Sequence, residues 1–179
     1  MRQKQLVIFL DSGDTIVDTE TIVKDEDGYA IKAEVIPGAD VMVKTLFERG
    51  YTLALVADGK TRSIDNIHYY TGLRKYFSAH IYSEDVKERK PGSKMFIAAM
   101  QALGLNENDK SRIIMVGNHL GRDIKGANQF GITSVFLKWT PKFPMEPSSE
   151  IEIPDYTIHR PIDLLDLVEK LNNKLTLTI

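Results

Sequence analysis

Residues 6–15, Leu6-Val7-Ile8-Phe9-Leu10-Asp11-Ser12-Gly13-Asp14-Thr15, join an unbroken apolar run to a carboxylate and a turn. Such a run, stopped by polar and glycine residues, has the character of a strand buried on both faces. Three more runs follow the same plan: Leu53–Ala57, Ile113–Val116 and Ser134–Leu137, with a weaker one at Ala79–Tyr82. Segments of helical period lie between them. Phe96, Ala99, Met100 and Leu103 fall on one helix face, as do Val43, Leu46 and Phe47, and Leu164, Leu165, Val168 and Leu171 near the end. Pro37-Gly38, Asp58-Gly59, Pro91-Gly92 and Gly131 separate these pieces with turn chemistry. Strand and helix in alternation predict βαβ units. The expected fold is therefore α/β: a three-layer α/β/α Rossmann-like arrangement around a mostly parallel central sheet.

Two segments depart from the rhythm. In residues 20–36, Asp27-Gly28 sits between two short β-prone runs, which predicts a hairpin flap. Residues 138–154 hold four of the seven prolines and predict a long surface loop. A chain of 179 residues suits one domain, 1–179, with a single core. Lys plus Arg number 23 against 25 Asp plus Glu, so no strong field selects nucleic acid or a membrane surface. Cysteine is absent, which excludes disulfide scaffolds and thiolate chemistry. The first apolar run stops at Asp11, far short of a signal-peptide core, and no stretch approaches the roughly 18 apolar residues of a membrane span. A cytoplasmic protein is expected.

Ligands of open parallel sheets bind at the carboxyl ends of the strands. The first strand ends in Asp11, the second at Ala57-Asp58-Gly59, and the fourth at Gly117-Asn118-His119, with Asp123 five residues beyond Asn118. Lys90-Pro91 precedes a helix that starts from the same edge. A strand-end carboxylate is suited to attack phosphorus and form an aspartyl-phosphate. Its charge repels a phosphate ester, so the site needs cations. Magnesium held by Asp11, a nearby backbone carbonyl, Asn118 and Asp123 would provide one, and Lys90 another.

The order DSGDT (11–15), LALVADG (53–59), Lys90-Pro91 and VGNHLGRD (116–123) resembles the haloacid dehalogenase superfamily of phosphohydrolases, over nearly the whole chain. Asp18 and Gly126-Ala127 match common flanks of its motifs. The resemblance implies Asp11 as nucleophile and metal ligand, Lys90 and Asp123 as charge partners, and Mg²⁺ as cofactor. It also implies a phosphate site around Ala57, Asp58, Gly59 and Lys90, with the Gly13 carbonyl at the metal.

Three positions depart from the family pattern. The family's phosphatases carry an acid/base Asp two residues after the nucleophile. Gly13 stands there, and Asp14, one residue later, becomes the candidate acid. Ala57 replaces a hydroxyl that binds the phosphoryl group, so backbone N–H groups at Asp58 and Gly59 are expected to compensate. Asn118 replaces a metal-binding Asp, which keeps an oxygen donor and loses a charge. His119 is expected to be a solvated loop residue.

The expected activity is Mg-dependent hydrolysis of a phosphomonoester. Two alternatives accompany it: a phosphate- or metal-binding protein that has lost turnover and serves regulation or partner binding, and non-phosphoryl, dehalogenase-type hydrolysis. Between Asp11 and Ala57 there is room for a flap and one helix, with none for the helical cap of many relatives. The expectation is an open site without a lid of its own, admitting a phosphorylated small molecule, a phosphoprotein surface, or a second copy of the chain as a homodimer.

Overall fold

The computed structural model describes residues 5–177. Its central sheet has six strands: β1 (Val7–Leu10), β4 (Thr52–Ala57), β5 (Ala79–Tyr82), β6 (Ile113–Gly117), β7 (Thr133–Leu137) and β8 (Tyr156–Ile158). They run in the order β5-β4-β1-β6-β7-β8, and every neighbouring pair is parallel. The unbroken apolar runs have a simple cause. Ile8, Leu10, Leu53, Leu55, Ile114 and Val116 pack into one layer of core, and Val7, Phe9, Ala54, Val56, Ile113 and Met115 into the other. Side chains alternate across a strand, so a strand covered on both faces must be apolar at every position.

Helices α1 (Ala39–Glu48) and α6 (Leu164–Leu177) cover the first layer, joined by α2 (Thr61–Tyr70). Helices α4 (Ser93–Ala102) and α5 (Lys125–Phe130) cover the second. A short α3 (Ser83–Val86) follows β5. The predicted flap is an antiparallel pair, β2 (Val23–Lys24) and β3 (Ala30–Lys32). At its tip the Asp25 carboxylate accepts the Tyr29 N–H at 2.8 Å, and Gly28 takes φ +79°. Glycine adopts that left-handed conformation at no steric cost. No cap domain is inserted between β1 and β4; of the loop expected over 138–154, residues 138–149 form a loop and a 3-10 turn follows at Glu150–Glu152. The three-residue β8, at the edge of the sheet, is unannounced by any apolar run. Among the described residues no helix is long and apolar enough to cross a membrane.

The chain leaves β1 to one side, building β4 and β5, and returns on the other side as β6, β7 and β8. The order of strands reverses at β1, which places its carboxyl end in the crevice where ligands of such sheets bind.

Candidate active site

Asp11 is fixed at that reversal. Its N–H continues the ladder to Val116 O at 3.0 Å, so the backbone is still held by β6 where the strand ends. Lys90 approaches from the turn before α4 and is almost fully buried, at 2% exposure. Its Nζ donates to Asp11 Oδ1 at 2.8 Å and to Val56 O at 2.6 Å, and lies 2.9 Å from Asp123 Oδ1. An ammonium group has three protons, and three acceptors surround this one. Lys90 is thus a pivot between two carboxylates. In this arrangement it keeps no donor for the phosphate contact expected of it.

Asp123 reaches the site through a single π-helical turn, Leu120–Ile124, which begins directly after the β6 edge. Its Oδ2 accepts the His119 N–H at 3.0 Å. The carboxylate lies against Gly117, where an added Cβ would fall 2.3 Å from Asp123 Cγ. Only glycine permits that approach. Asp58 completes the group: its Oδ1 accepts the Lys90 N–H at 3.0 Å, and its Oδ2 lies 3.9 Å from Arg122 Nη1.

Asp11, Asp58 and Asp123 line one cavity of about 210 Å³ with Gly13, Asp14, Thr19, Arg122 and Phe143. Burial raises the Asp11 pKa, and so does the Asp123 charge, while the Lys90 ammonium opposes both. Burial alone would lower the Lys90 pKa, but Asp11, Asp123 and Asp58 together hold it above the ordinary range. Lys90 is the cation that makes this cluster of acids tolerable.

The two phosphate-binding expectations at β4 do not hold geometrically. Ala57 is buried at 1% exposure, outside the residues that line the cavity. The Gly59 N–H donates to Ser83 Oγ at 2.9 Å. Arg122, which the sequence reading passed over, lines the cavity instead and lies against the Phe143 ring at 5.3 Å. The available signal was local: in the run Gly121-Arg122-Asp123 the guanidinium is the direct neighbour of the second acid.

Asp14 has a different part from the one expected. It sits at φ +54°, a conformation that Asp tolerates better than most residues. Its Oδ2 accepts the Thr19 hydroxyl at 2.7 Å, and its Oδ1 accepts the Thr19 N–H at 3.1 Å and Lys142 Nζ at 2.7 Å. Lys142 also holds Asp18 at 3.0 Å, and the indole N–H of Trp139 donates to Asp14 O. Asp14 therefore anchors the 138–149 loop onto the turn after β1. Both Asp14 oxygens are engaged in this anchoring, Oδ1 twice and Oδ2 once. Gly13 fits for a related reason, since a Cβ there would meet Thr19 Cγ2 at 2.9 Å.

The anchored loop delivers Phe143 to the cavity, where its ring packs on His119 with centroids 4.5 Å apart. His119 is half-buried as a result, not a solvated loop residue, and burial with the nearby Arg122 charge lowers its pKa. The same loop walls one side of the cavity through Phe143, without forming a cap over it. It is held by contacts more than 120 positions apart in sequence. Ser12, directly after Asp11, forms a buried hydrogen bond to His68 at 2.8 Å, another pairing with no local signal.

Among the described residues no three Asp, Glu, His or Cys side chains are grouped to hold a metal ion. Asp11, Asp58, Asp123 and Gly13 bring oxygen donors to the cavity lining, and the Asn118 amide lies buried directly after β6. Asn118 is buried, and its Nδ2 has no hydrogen-bond partner. Two carboxylates, an amide oxygen and a backbone carbonyl form a hard-oxygen set of the type that Mg²⁺ takes, while the unpartnered Nδ2 is an N–H donor and adds no ligand. Three acids against Lys90 and Arg122 also leave the site with an excess of negative charge.

Residues 11–137 match the family model of haloacid dehalogenase-like hydrolases. A glyceraldehyde 3-phosphate phosphatase of Methanopyrus kandleri is 32% identical over 126 residues, 70% of this chain and 53% of that protein. An (S)-2-haloacid dehalogenase of Pseudomonas sp. is 33% identical over 98 residues, 55% of this chain and 40% of that protein. The chain spans little more than half the length of the curated relatives it matches first. The HAD-hydrolase YfnB of Bacillus subtilis, solved bound to magnesium, shares the fold with a TM-score of 0.73 at 17% identity, covering 92% of this chain and 99% of that one.

Proposed function

Because the chain belongs to the haloacid dehalogenase-like hydrolases, we propose that it is a Mg-dependent phosphohydrolase working through an aspartyl-phosphate on Asp11. The observation that carries this reading is the buried Lys90 bridging Asp11 and Asp123, at 2.8 and 2.9 Å. A structural lysine needs one carboxylate. This one holds two acids, one directly after β1 and one in the turn after β6, at a cavity they both line.

Asp11 Oδ1 is fixed by Lys90, so Oδ2 is the attacking oxygen. It forms a bond to phosphorus while the ester P–O bond breaks, and the leaving oxygen takes the electron pair and then a proton from water. A second water attacks the phosphorus of the acyl phosphate, releasing inorganic phosphate and restoring Asp11. Arg122 meets the phosphoryl oxygens from the cavity wall, in the role the family gives to the hydroxyl missing at Ala57. Bound at Asp11, Asp123, Asn118 and the Gly13 carbonyl, Mg²⁺ would add positive charge and Lewis-acid stabilisation beside the phosphoryl group.

With Asp14 committed to Lys142 and Thr19, the acid expected to protonate the leaving group is tied up elsewhere. Esters with good leaving groups, such as aryl phosphates, are the favoured class. A cavity of about 210 Å³ suits a small phosphorylated molecule better than a phosphoprotein surface.

The same missing acid favours a second reading, a phosphate-binding protein without turnover. The test is an aryl phosphate assay with and without Mg²⁺, for wild type and Asp11→Asn. Turnover that needs Mg²⁺ and disappears in Asp11→Asn is expected. No turnover of any ester, with retained phosphate binding, selects the binding protein. Metal-independent halide release from a 2-haloacid selects the dehalogenase chemistry instead.

A further inference from the structure

The Asp11 cavity continues sideways. Gly13, Thr19 and Asp58 line it and also line a second cavity of about 290 Å³, between the β2–β3 hairpin and α2. The roof of this space is tied down: the Ala30 N–H donates to Ser63 Oγ at 3.1 Å, and Asn66 Nδ2 donates to Ala30 O at 3.0 Å. Both contacts join the hairpin to α2, so the cavity is built into the structure.

Its lining has two characters. Ile22, Ile64 and Ile67 give it an apolar face, while Lys24 and Lys60 stand at its rim. Two acids of the hairpin turn are already engaged, since Arg62 lies 3.1 Å from Asp25 and 4.0 Å from Asp27. Lys60 lies 4.8 Å over the Tyr29 ring, a contact that restricts it without neutralising it. Neither Lys24 nor Lys60 has an ion-pair partner among the described residues. A space of this volume is at the lower end of small-molecule pockets, with room for one ring or a short carbon chain.

We infer that this second cavity holds the leaving-group half of the substrate, and that the group combines an apolar body with a second anion at its far end, a carboxylate or another phosphate. The inference rests on the phosphohydrolase reading, because the shared residues Gly13, Thr19 and Asp58 make the two cavities one continuous site. The phosphoryl group occupies the Asp11 side, the apolar body lies against the isoleucines, and the second anion meets Lys24 and Lys60.

Phenyl phosphate and 3-carboxyphenyl phosphate have leaving groups of similar basicity and differ in the distal charge. At low salt the carboxylated ester is expected to have the higher kcat/KM by about 5- to 10-fold, through KM, as two partly exposed cations allow. The double variant Lys24→Ala/Lys60→Ala is expected to bring the ratio of the two esters close to one. Equal kcat/KM values in wild type, or a ratio that survives the double variant, overturns the inference. If wild type hydrolyses neither ester, the functional reading fails on its own, and calorimetry tests the cavity directly. Tighter binding of 3-carboxyphenylphosphonate than of phenylphosphonate, lost in the double variant, then upholds the anion subsite. Equal binding of the two removes it.

Discussion

At Asp14 one side chain meets three demands: a left-handed backbone, two contacts to Thr19, and a salt bridge to Lys142. Asp14→Asn keeps the first and most of the second and loses the charge. Aryl phosphate hydrolysis by this variant is expected to stay within about tenfold of wild type. A loss of about 100-fold or more would instead mark Asp14 as the proton donor. Lys90 stands in the opposite situation, since its removal leaves two acids facing each other in a buried site. Lys90→Met is expected to destabilise the fold by about 3–5 kcal/mol in urea unfolding. A change below about 1 kcal/mol would show that the acids are solvated after all. His68 adds a pH dependence. Burial lowers its pKa to about 4 from an ordinary 6.5. Between those values the unfolded chain binds a proton that the folded chain refuses, so stability falls as pH drops from 6.5 toward 4. The loss from this residue is about 3 kcal/mol at most, and His68→Gln should flatten that part of the stability profile. An unchanged profile in the variant would assign the acid sensitivity elsewhere.

Elements differ in how much of them a sequence displays. The strands β1, β4, β6 and β7 were legible because burial on both faces forces apolar residues at every position. The hairpin was legible because Asp27-Gly28 states its turn chemistry locally. The edge strand β8 was not, since Tyr156-Thr157-Ile158, with only Ile158 buried, carries no apolar run to recognise. Nor was the working of the 138–149 loop, whose contacts to Asp14 and Asp18 depend on pairings across the whole chain. Trp139 is the single tryptophan and donates to Asp14 O, so it reports on this loop. Lys142→Met is expected to shift its emission to the red and to raise amide exchange in residues 138–149, with the core helices unaffected. An unchanged spectrum would show that Lys142 does not hold the loop. On the other layer, α5 approaches closely at Gly126, where a Cβ would lie 2.9 Å from Phe96 Cε2 and 3.1 Å from Pro91 Cα. Gly126→Val should cost about 1–3 kcal/mol in thermal or urea unfolding, by forcing α5 off α4 and the turn that carries Lys90. A variant as stable as wild type would contradict such close packing.

For the molecule as a whole, the site follows from topology. Parallel strands bring Asp11, Asp58 and the Gly117–Asn118 turn to one edge, and the reversal of strand order at β1 opens a crevice there. Asp11, Lys90 and Asp123 were legible because each lies at a strand end or helix start that the apolar pattern locates. The surroundings of those residues were not. Arg122, Phe143 and the Asp14–Lys142 pair owe their places to packing between segments remote in sequence. The absence of an inserted cap follows from the short spacing after Asp11, yet the hairpin and the 138–149 loop still wall the site. The central claim is that Asp11 becomes phosphorylated during turnover. Borohydride reduces an acyl phosphate and leaves a free carboxylate untouched. Enzyme quenched during aryl phosphate hydrolysis with Mg²⁺, treated with borohydride and digested, should therefore show homoserine at position 11 by mass spectrometry, and none when the ester is omitted. Steady turnover with Asp11 unmodified, or with the modification at another residue, would contradict the account.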